Sequence, residues 1–204
     1  MISDSESEKL ALRVWFLTHR TRDVLRTCED RIFGEYGLTA EQYAVLSIMK
    51  LLGDPVRVTD LAHWLERSAN SVSMIVDRMV KAGLVTRKRG RGDRRAVHLS
   101  ITSKGEVALR PATLAGWKFI QTILSPLSDE DRRAFVSLHE VVKYQALHYI
   151  NPRLTMEEMK SNEITNQPDS MRRLASYVSA SAGRTKLQGA EKRKTKSRAK
   201  RGSR

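Results

Sequence analysis

The sequence predicts a mainly α-helical protein with a small β element, on three observations. Apolar residues recur at steps of three, four or seven through most of residues 8–150. Two short β-prone runs, 84–86 and 96–101, flank a loop, 89–95, that holds Gly90 and Gly92. The junctions between periodic segments carry Ser, Thr or Gly, the residues of helix starts and stops.

The first helix is expected over 8–33, with Leu10, Val14, Leu17, Val24, Cys28 and Ile32 on one stripe and charge on the other face. That is long for packing inside a small domain, so it predicts a partner surface. Gly34 and Gly37 break it. Thr39 is the next N-cap, with Gln42 three residues on as its capping-box partner. The helix that follows, to about Leu52, carries Tyr43, Val45, Leu46, Ile48, Met49, Leu51 and Leu52. Apolar nearly all round, it reads as the central core helix. Gly53-Asp54-Pro55 is a turn.

Thr59 is taken as the cap of a short helix with Leu61, Ala62 and Leu65 inward. Ser68 caps the next, whose stripe is Val72, Ile75, Val76, Met79 and Val80 and whose stop is Gly83 at C′. The two strands and their basic loop come next. Thr102 caps a helix to about Leu124, which Pro111 is expected to kink or split. Ser125-Pro126 is a break, and Ser128 with Asp131 starts the last strong helix, lined by Phe135, Leu138, Val142, Ala146 and Tyr149. Asn151-Pro152 closes the folded part.

Residues 1–8 thus read as a flexible N-terminus and 9–150 as the folded domain. Residues 151–183 read as a polar extension with room for a short helix near 170–180, and 184–204 as a disordered, low-complexity basic tail.

The 204 residues are 40% hydrophobic, enough for one good core. The net charge of +14 and pI of about 10.3 favour a polyanionic partner. This charge has two sources: residues 87–95, at net +5, and residues 184–204, with ten Lys or Arg against one Glu. A lone cysteine, Cys28, rules out an intrachain disulfide framework or a Cys-based zinc site and fits a reducing cytoplasm. The N-terminal MISDSESEKL is too acidic and polar for a signal peptide, and no apolar run nears the roughly 20 residues of a membrane helix, so no membrane partner is expected.

Helix, turn, helix, strand, basic loop, strand is the order of a helix-turn-helix followed by a β-wing. In such a unit the N-terminal half of the second helix enters the major groove of duplex DNA. Here the stripe leaves Asn70, Ser71, Ser73, Met74, Asp77 and Arg78 outward. Asn pairs bidentately with adenine, Ser serves several bases or a phosphate, and Met74 suits a thymine methyl, while Arg78 is better placed for phosphate. No Arg or Lys lies between positions 68 and 77, so guanine readout is weak and weight falls on shape and backbone contacts. Arg89, Arg91, Arg94 and Arg95 on a glycine-hinged tip suit an adjacent narrow minor groove, with Asp93 bracing the loop through a nearby Arg.

LTAEQYAVL (38–46), the helix-turn-helix, and KAGLVTRKRGRGDRRAVHLSITSKG (81–105) resemble the MarR family of bacterial and archaeal transcription regulators. The matching signature is D-x-R, five residues, a hydrophobic-Thr pair, two residues and Gly: Asp93, Arg95, Ile101-Thr102 and Gly105. The resemblance covers roughly 10–150. It implies a winged-helix DNA-binding lobe over about 39–104 and dimerisation helices over about 9–34 and 106–150. It further implies an obligate homodimer whose two lobes meet a pseudo-palindromic operator, with Arg95 or Arg94 in the minor groove. The expectation is a homodimeric, sequence-specific, nucleoid-associated DNA-binding repressor. The alternative is a non-specific architectural nucleic-acid binder driven by tail and wing. Ile101 stands where the family usually has Leu, and the chain runs some 50 residues past the last family helix into a basic tail that typical members lack.

Many relatives release DNA on binding a small, often phenolic effector between the dimer helices and the lobes, where Trp15, His19, Tyr36, Tyr43, Trp64 and Trp117 could line a crevice. Aromatics at helical spacing are more often core. A peroxide-sensing branch holds its cysteine near the position of Thr18. Cys28 lies about three turns further on, on the apolar stripe, and reads as a buried, inert thiol. The five histidines show no ligand spacing, so no metal or other cofactor is expected. No phosphate loop, nucleophile–base pattern or carboxylate pair suggests an enzyme.

Overall fold

A computed structural model describes residues 5–89, 97–153, 155, 157–158 and 176–180, with only the backbone of Arg89. The chain divides into two compact units, residues 1–48 with 55–112, and residues 49–54 with 113–204. The first holds α1 (Glu6–Gly34), most of α2 (Ala40–Leu52), β1 (Val56–Arg57), α3 (Val58–Trp64), α4 (Ala69–Lys81), β2 (Val85–Arg89), β3 (Val97–Ile101) and the start of α5 (Ser103–Leu124). The second holds the rest of α5, α6 (Asp129–Ile150) and a turn of helix at 176–180.

Local chemistry sets the element boundaries. Thr39 and Gln42 form the expected reciprocal box: Gln42 N donates to Thr39 Oγ1 at 3.2 Å and Thr39 N to Gln42 Oε1 at 3.0 Å. Ser68 accepts from Ser71 N at 3.2 Å, and Ser128 and Asp131 pair the same way as the first box. Gly83, at φ +71°, closes α4 in a Schellman turn, with Leu84 N donating to Met79 O and Gly83 N to Val80 O, both at 2.9 Å. The turn between α3 and α4 uses the same motif, but Glu66 takes the left-handed position at φ +50°.

The start of α3 differs from the expected Thr59 cap. Asp60 reaches back to Arg57 N at 2.9 Å and also holds the Arg57 guanidinium, so the helix begins at Val58. Pro111 does not split α5, which runs unbroken to Leu124. The N–H that proline lacks would have paired with the carbonyl of Val107, a residue 74% exposed, so water reaches that turn.

The sheet is three-stranded and antiparallel, in the order β1-β3-β2. Val56 pairs with Leu99, and β2 runs in register with β3 from Val85↔Ile101 to Arg89↔Val97. β1 was not anticipated from the sequence. β2 begins one residue later than the expected run, at Val85, and extends three residues beyond it, so Arg87, Lys88 and Arg89 belong to the strand. The first unit's core comprises Val45, Leu46, Val56, Leu61, Val72, Val76, Met79, Val85, Leu99 and Leu109, all fully buried. Each large side chain there contributes about 1.5–3 kcal/mol of burial. Phe33 of α1 stacks on Tyr43 of α2, ring centroids 3.8 Å apart.

α1 and α6 keep their expected stripes but leave them open. Leu10, Val14, Leu17 and Val24 on α1, and Phe135, Leu138, Val142 and Tyr149 on α6, are exposed, and Tyr144 is the buried residue of α6. Cys28 is half-buried rather than fully buried. Among the described residues no helix is long and apolar enough to cross a membrane.

Candidate nucleic-acid interface

α4 buries Val72, Ile75, Val76 and Met79 and turns its other side to solvent. Asn70, Met74, Asp77 and Arg78 are exposed, Met74 at 66%, and Ser71 and Ser73 are half-buried. The expected outward set is therefore outward, but three of its members are already engaged within the first unit.

Asp77 and Ser73, four residues apart and so neighbours on the helix surface, both meet Arg87 of β2. Arg87 Nη1 donates to Asp77 Oδ1, and Nη2 lies 3.4 Å from Ser73 Oγ. This fork ties the wing's first strand to the recognition helix. Sequence reading missed it because its partners are 10 and 14 residues apart and on different element types.

On the opposite flank Glu41 of α2 gathers three arginines. Arg67 donates to its Oε1 at 2.8 Å, Arg26 of α1 stands 3.4 Å from the same oxygen, and Arg78 is 3.7 Å from Oε2. The Arg67 hydrogen bond holds the Glu41 carboxyl below its ordinary pKa, against an upward pull from burial, with Arg26 adding to the lowering. Asp30 joins the cluster by accepting from Ala40 N at 2.7 Å, and an open pocket of about 480 Å³ lies among Arg26, Asp30, Glu41, Gln42, Ile75 and Arg78. The only sequence signal for this cluster was Arg78 itself, read as free for phosphate.

Below α4 the wing is anchored by Thr102 and Gly105. Thr102 Oγ1 donates to Gly83 O at 2.7 Å and accepts from Gly105 N at 3.0 Å, and its N–H donates to Leu84 O at 3.1 Å. Lys104 Nζ donates to Ala82 O at 2.7 Å, a cation at the C-terminal end of α4. One threonine thus ties the end of α4, the start of β2 and the start of α5 together, which gives a physical reason for the Thr-x-x-Gly half of the signature.

Of the expected wing residues, Arg89 ends β2 opposite Val97, with its side chain outside the described residues. Arg91, Asp93, Arg94 and Arg95 lie outside them altogether, as does the basic tail 184–204. Of the aromatic candidates for an effector crevice, Trp15 packs edge-on against His19 and is 61% exposed, and Tyr43 stacks on Phe33. Among the described residues no cluster of His, Cys, Asp or Glu is arranged to hold a metal ion.

The sequence model of the MarR family matches residues 36–96, which span α2, the helix-turn-helix and the first part of the wing. The chain is 26% identical over 105 residues to the HTH-type transcriptional regulator PecS of Dickeya dadantii, covering 50% of this chain and 63% of PecS. To the HTH-type transcriptional repressor MdtR of Bacillus subtilis it is 32% identical over 96 residues, covering 47% of this chain and 61% of MdtR. The chain therefore spans less than two thirds of either relative. Among solved structures it is similar to Staphylococcus aureus MepR in its DNA complex, at a TM-score of 0.59 and 21% identity, over 63% of this chain and 94% of MepR. Residues 36–96 thus match the MarR family's sequence model, and the chain is similar in sequence and in fold to winged helix-turn-helix transcription regulators of that family.

Proposed function

We propose that this chain is a homodimeric, sequence-specific regulator of transcription, a repressor, that reads a pseudo-palindromic operator in double-stranded DNA. The observation that carries this is α4. A fully buried stripe fixes the helix on the first unit, and its exposed side lies next to the basic strand β2. In this reading α4 enters the major groove and its outward side chains meet base edges. Arg89, Arg91, Arg94 and Arg95 serve the minor groove and its phosphates, with Asp93 as the brace. Residues 39–104 form the lobe, and 9–34 and 106–150 supply the dimer. The uncovered stripes of α1 and α6 support the dimer, because a soluble monomer rarely leaves apolar faces of this extent open. The site of action is the cytoplasm, at the nucleoid. A small-molecule effector is part of the proposal as a class, without a named site.

Selection of bound duplexes from random DNA tests this. A recurrent, two-fold related sequence is expected. Arg95→Ala is expected to weaken binding to it strongly while the dimer persists in sedimentation; unchanged affinity in that variant would remove the wing from the docking. One observation favours a second reading, non-specific architectural binding: the net +9 of residues 184–204. Phosphate contacts alone give affinity that falls steeply with salt and ignores sequence. Deleting 184–204 and comparing selected with random DNA at two salt concentrations separates the readings. The regulator keeps its preference without the tail; the architectural binder loses its affinity for both.

A further inference from the structure

The outward side of α4 is not uniform. At about 100° per residue, Asn70 falls at its centre, opposite the stripe of Val72, Ile75, Val76 and Met79, with Met74 and Asp77 about 30° to either side. Ser73 and Asp77 form one flank, and Arg87 holds both. Arg78 stands on the other flank beside Glu41, and Ser71 there is half-buried. Arg87 takes Oδ1 of Asp77 and its charge offsets the carboxylate's pull on a cytosine amino group, and Ser73 offers its hydroxyl to the same guanidinium. Among the described residues no hydrogen bond holds the Asn70 amide, and Met74 is two-thirds exposed.

We propose that base reading by α4 is confined to the crest pair Asn70 and Met74, and that the pair selects A·T steps, Asn70 taking an adenine edge and Met74 a thymine methyl. The inference rests on the DNA-regulator reading and names the base chemistry of that surface. Asn presents a donor and an acceptor to adenine N7 and N6, and a thioether offers apolar, polarisable contact to the C5-methyl. The two residues are one helical turn apart, about 6 Å along the axis, and so reach base pairs within about two steps of each other. Lys81 shares this azimuth but lies at the C-terminal end of α4, about 10 Å along the axis from Met74, so neither crest position has the fork that guanine calls for.

The test uses the full chain and its selected operator. Two invariant A·T pairs within two steps are expected near the middle of each half-site. Replacing thymines one at a time by uracil removes only the methyl. One such replacement is expected to weaken wild-type binding about fourfold, the value of one buried methyl group. Met74→Ala is expected to bind the thymine and uracil duplexes equally, and Met74→Leu to keep the difference. Guanine at the two positions, no uracil-sensitive thymine, or a Met74→Ala variant as methyl-sensitive as wild type each overturns the inference while leaving the regulator reading intact. Selection that yields no recurrent sequence overturns both.

Discussion

Gly105 shows how one residue can decide whether the wing sits where α4 needs it. A Cβ at this position would lie 2.8 Å from Ile101 Cγ2 and closer still to the carbonyl oxygen of Leu84. That carbonyl already accepts from Thr102 N and cannot move without breaking the tie between α4, β2 and α5. Backbone, not a flexible side-chain end, blocks the space, so relief requires shifting α5 off the strand. Gly105→Ala is expected to destabilise the fold by about 2 kcal/mol, the middle of the range for overpacking. Urea denaturation checks it: the midpoint should fall while the slope stays constant. A midpoint within error of wild type would mean that α5 and β2 are free to separate. Glu66 is the contrasting residue. It holds a left-handed φ without being glycine, which costs on the order of 1 kcal/mol, and the rest of the α3–α4 turn imposes it.

Between elements, the cluster around Glu41 does what no single helix could. It joins α1, the α3–α4 turn and α4 to the first turn of α2 through one carboxylate. The linkage follows from the sign of the shift. The folded pKa lies below the ordinary glutamate value of about 4.3, so the unfolded chain binds this proton more readily. The cluster's contribution is fully present above that ordinary value and is lost as pH falls through the folded one. The pairs are partly exposed, so the effect is below about 1 kcal/mol. Glu41→Gln is accordingly expected to flatten the acid limb of stability below about pH 5 and to leave the neutral plateau slightly lower. Parallel curves for wild type and variant would show that the cluster contributes nothing.

This scale also shows what a sequence can carry. The caps at Thr39, Ser68, Thr102 and Ser128, and the stop at Gly83, were legible because each bond closes within about five residues. So were the two periodic faces of α4. β1 was not, because two residues have no period and Val56 becomes a strand only by pairing with Leu99, 43 positions away. The Arg87 fork and the Glu41 cluster were hidden for the same reason: a charged side chain looks alike in sequence whether it faces a phosphate or a carboxylate 26 residues off. The outward side of α4 therefore carries residues that these two clusters engage, while Asn70 and Met74, expected outward, are exposed.

For the whole molecule, the open stripes on α1 and α6 pose the remaining physical question, since each is apolar at helical spacing and neither is covered within its own unit. Leu17 is 54% exposed and Leu138 67%. Left in water, such side chains forgo about 1.5–3 kcal/mol each, and several recur along each helix. In the proposed dimer a second copy of the chain covers these stripes, because a two-fold interface presents the same surface from each side. The stripes then have a functional reading as well. One lobe on one half-site has only its own affinity, whereas two linked lobes gain on the order of 10²-fold or more without any new contact. Leu17→Glu and Leu138→Glu each place a charge on the proposed seam and touch neither α4 nor the wing. Each is expected to shift sedimentation from dimer to monomer. Each should also lower affinity for a full operator by about 100-fold, while affinity for an isolated half-site stays within about threefold of wild type. Circular dichroism separates this from unfolding, since a folded monomer keeps the helical signal. Dimers that persist in both variants, or a wild-type chain that sediments as a monomer at operator-binding concentrations, would assign the stripes to some other surface and leave the operator to be read by one lobe alone.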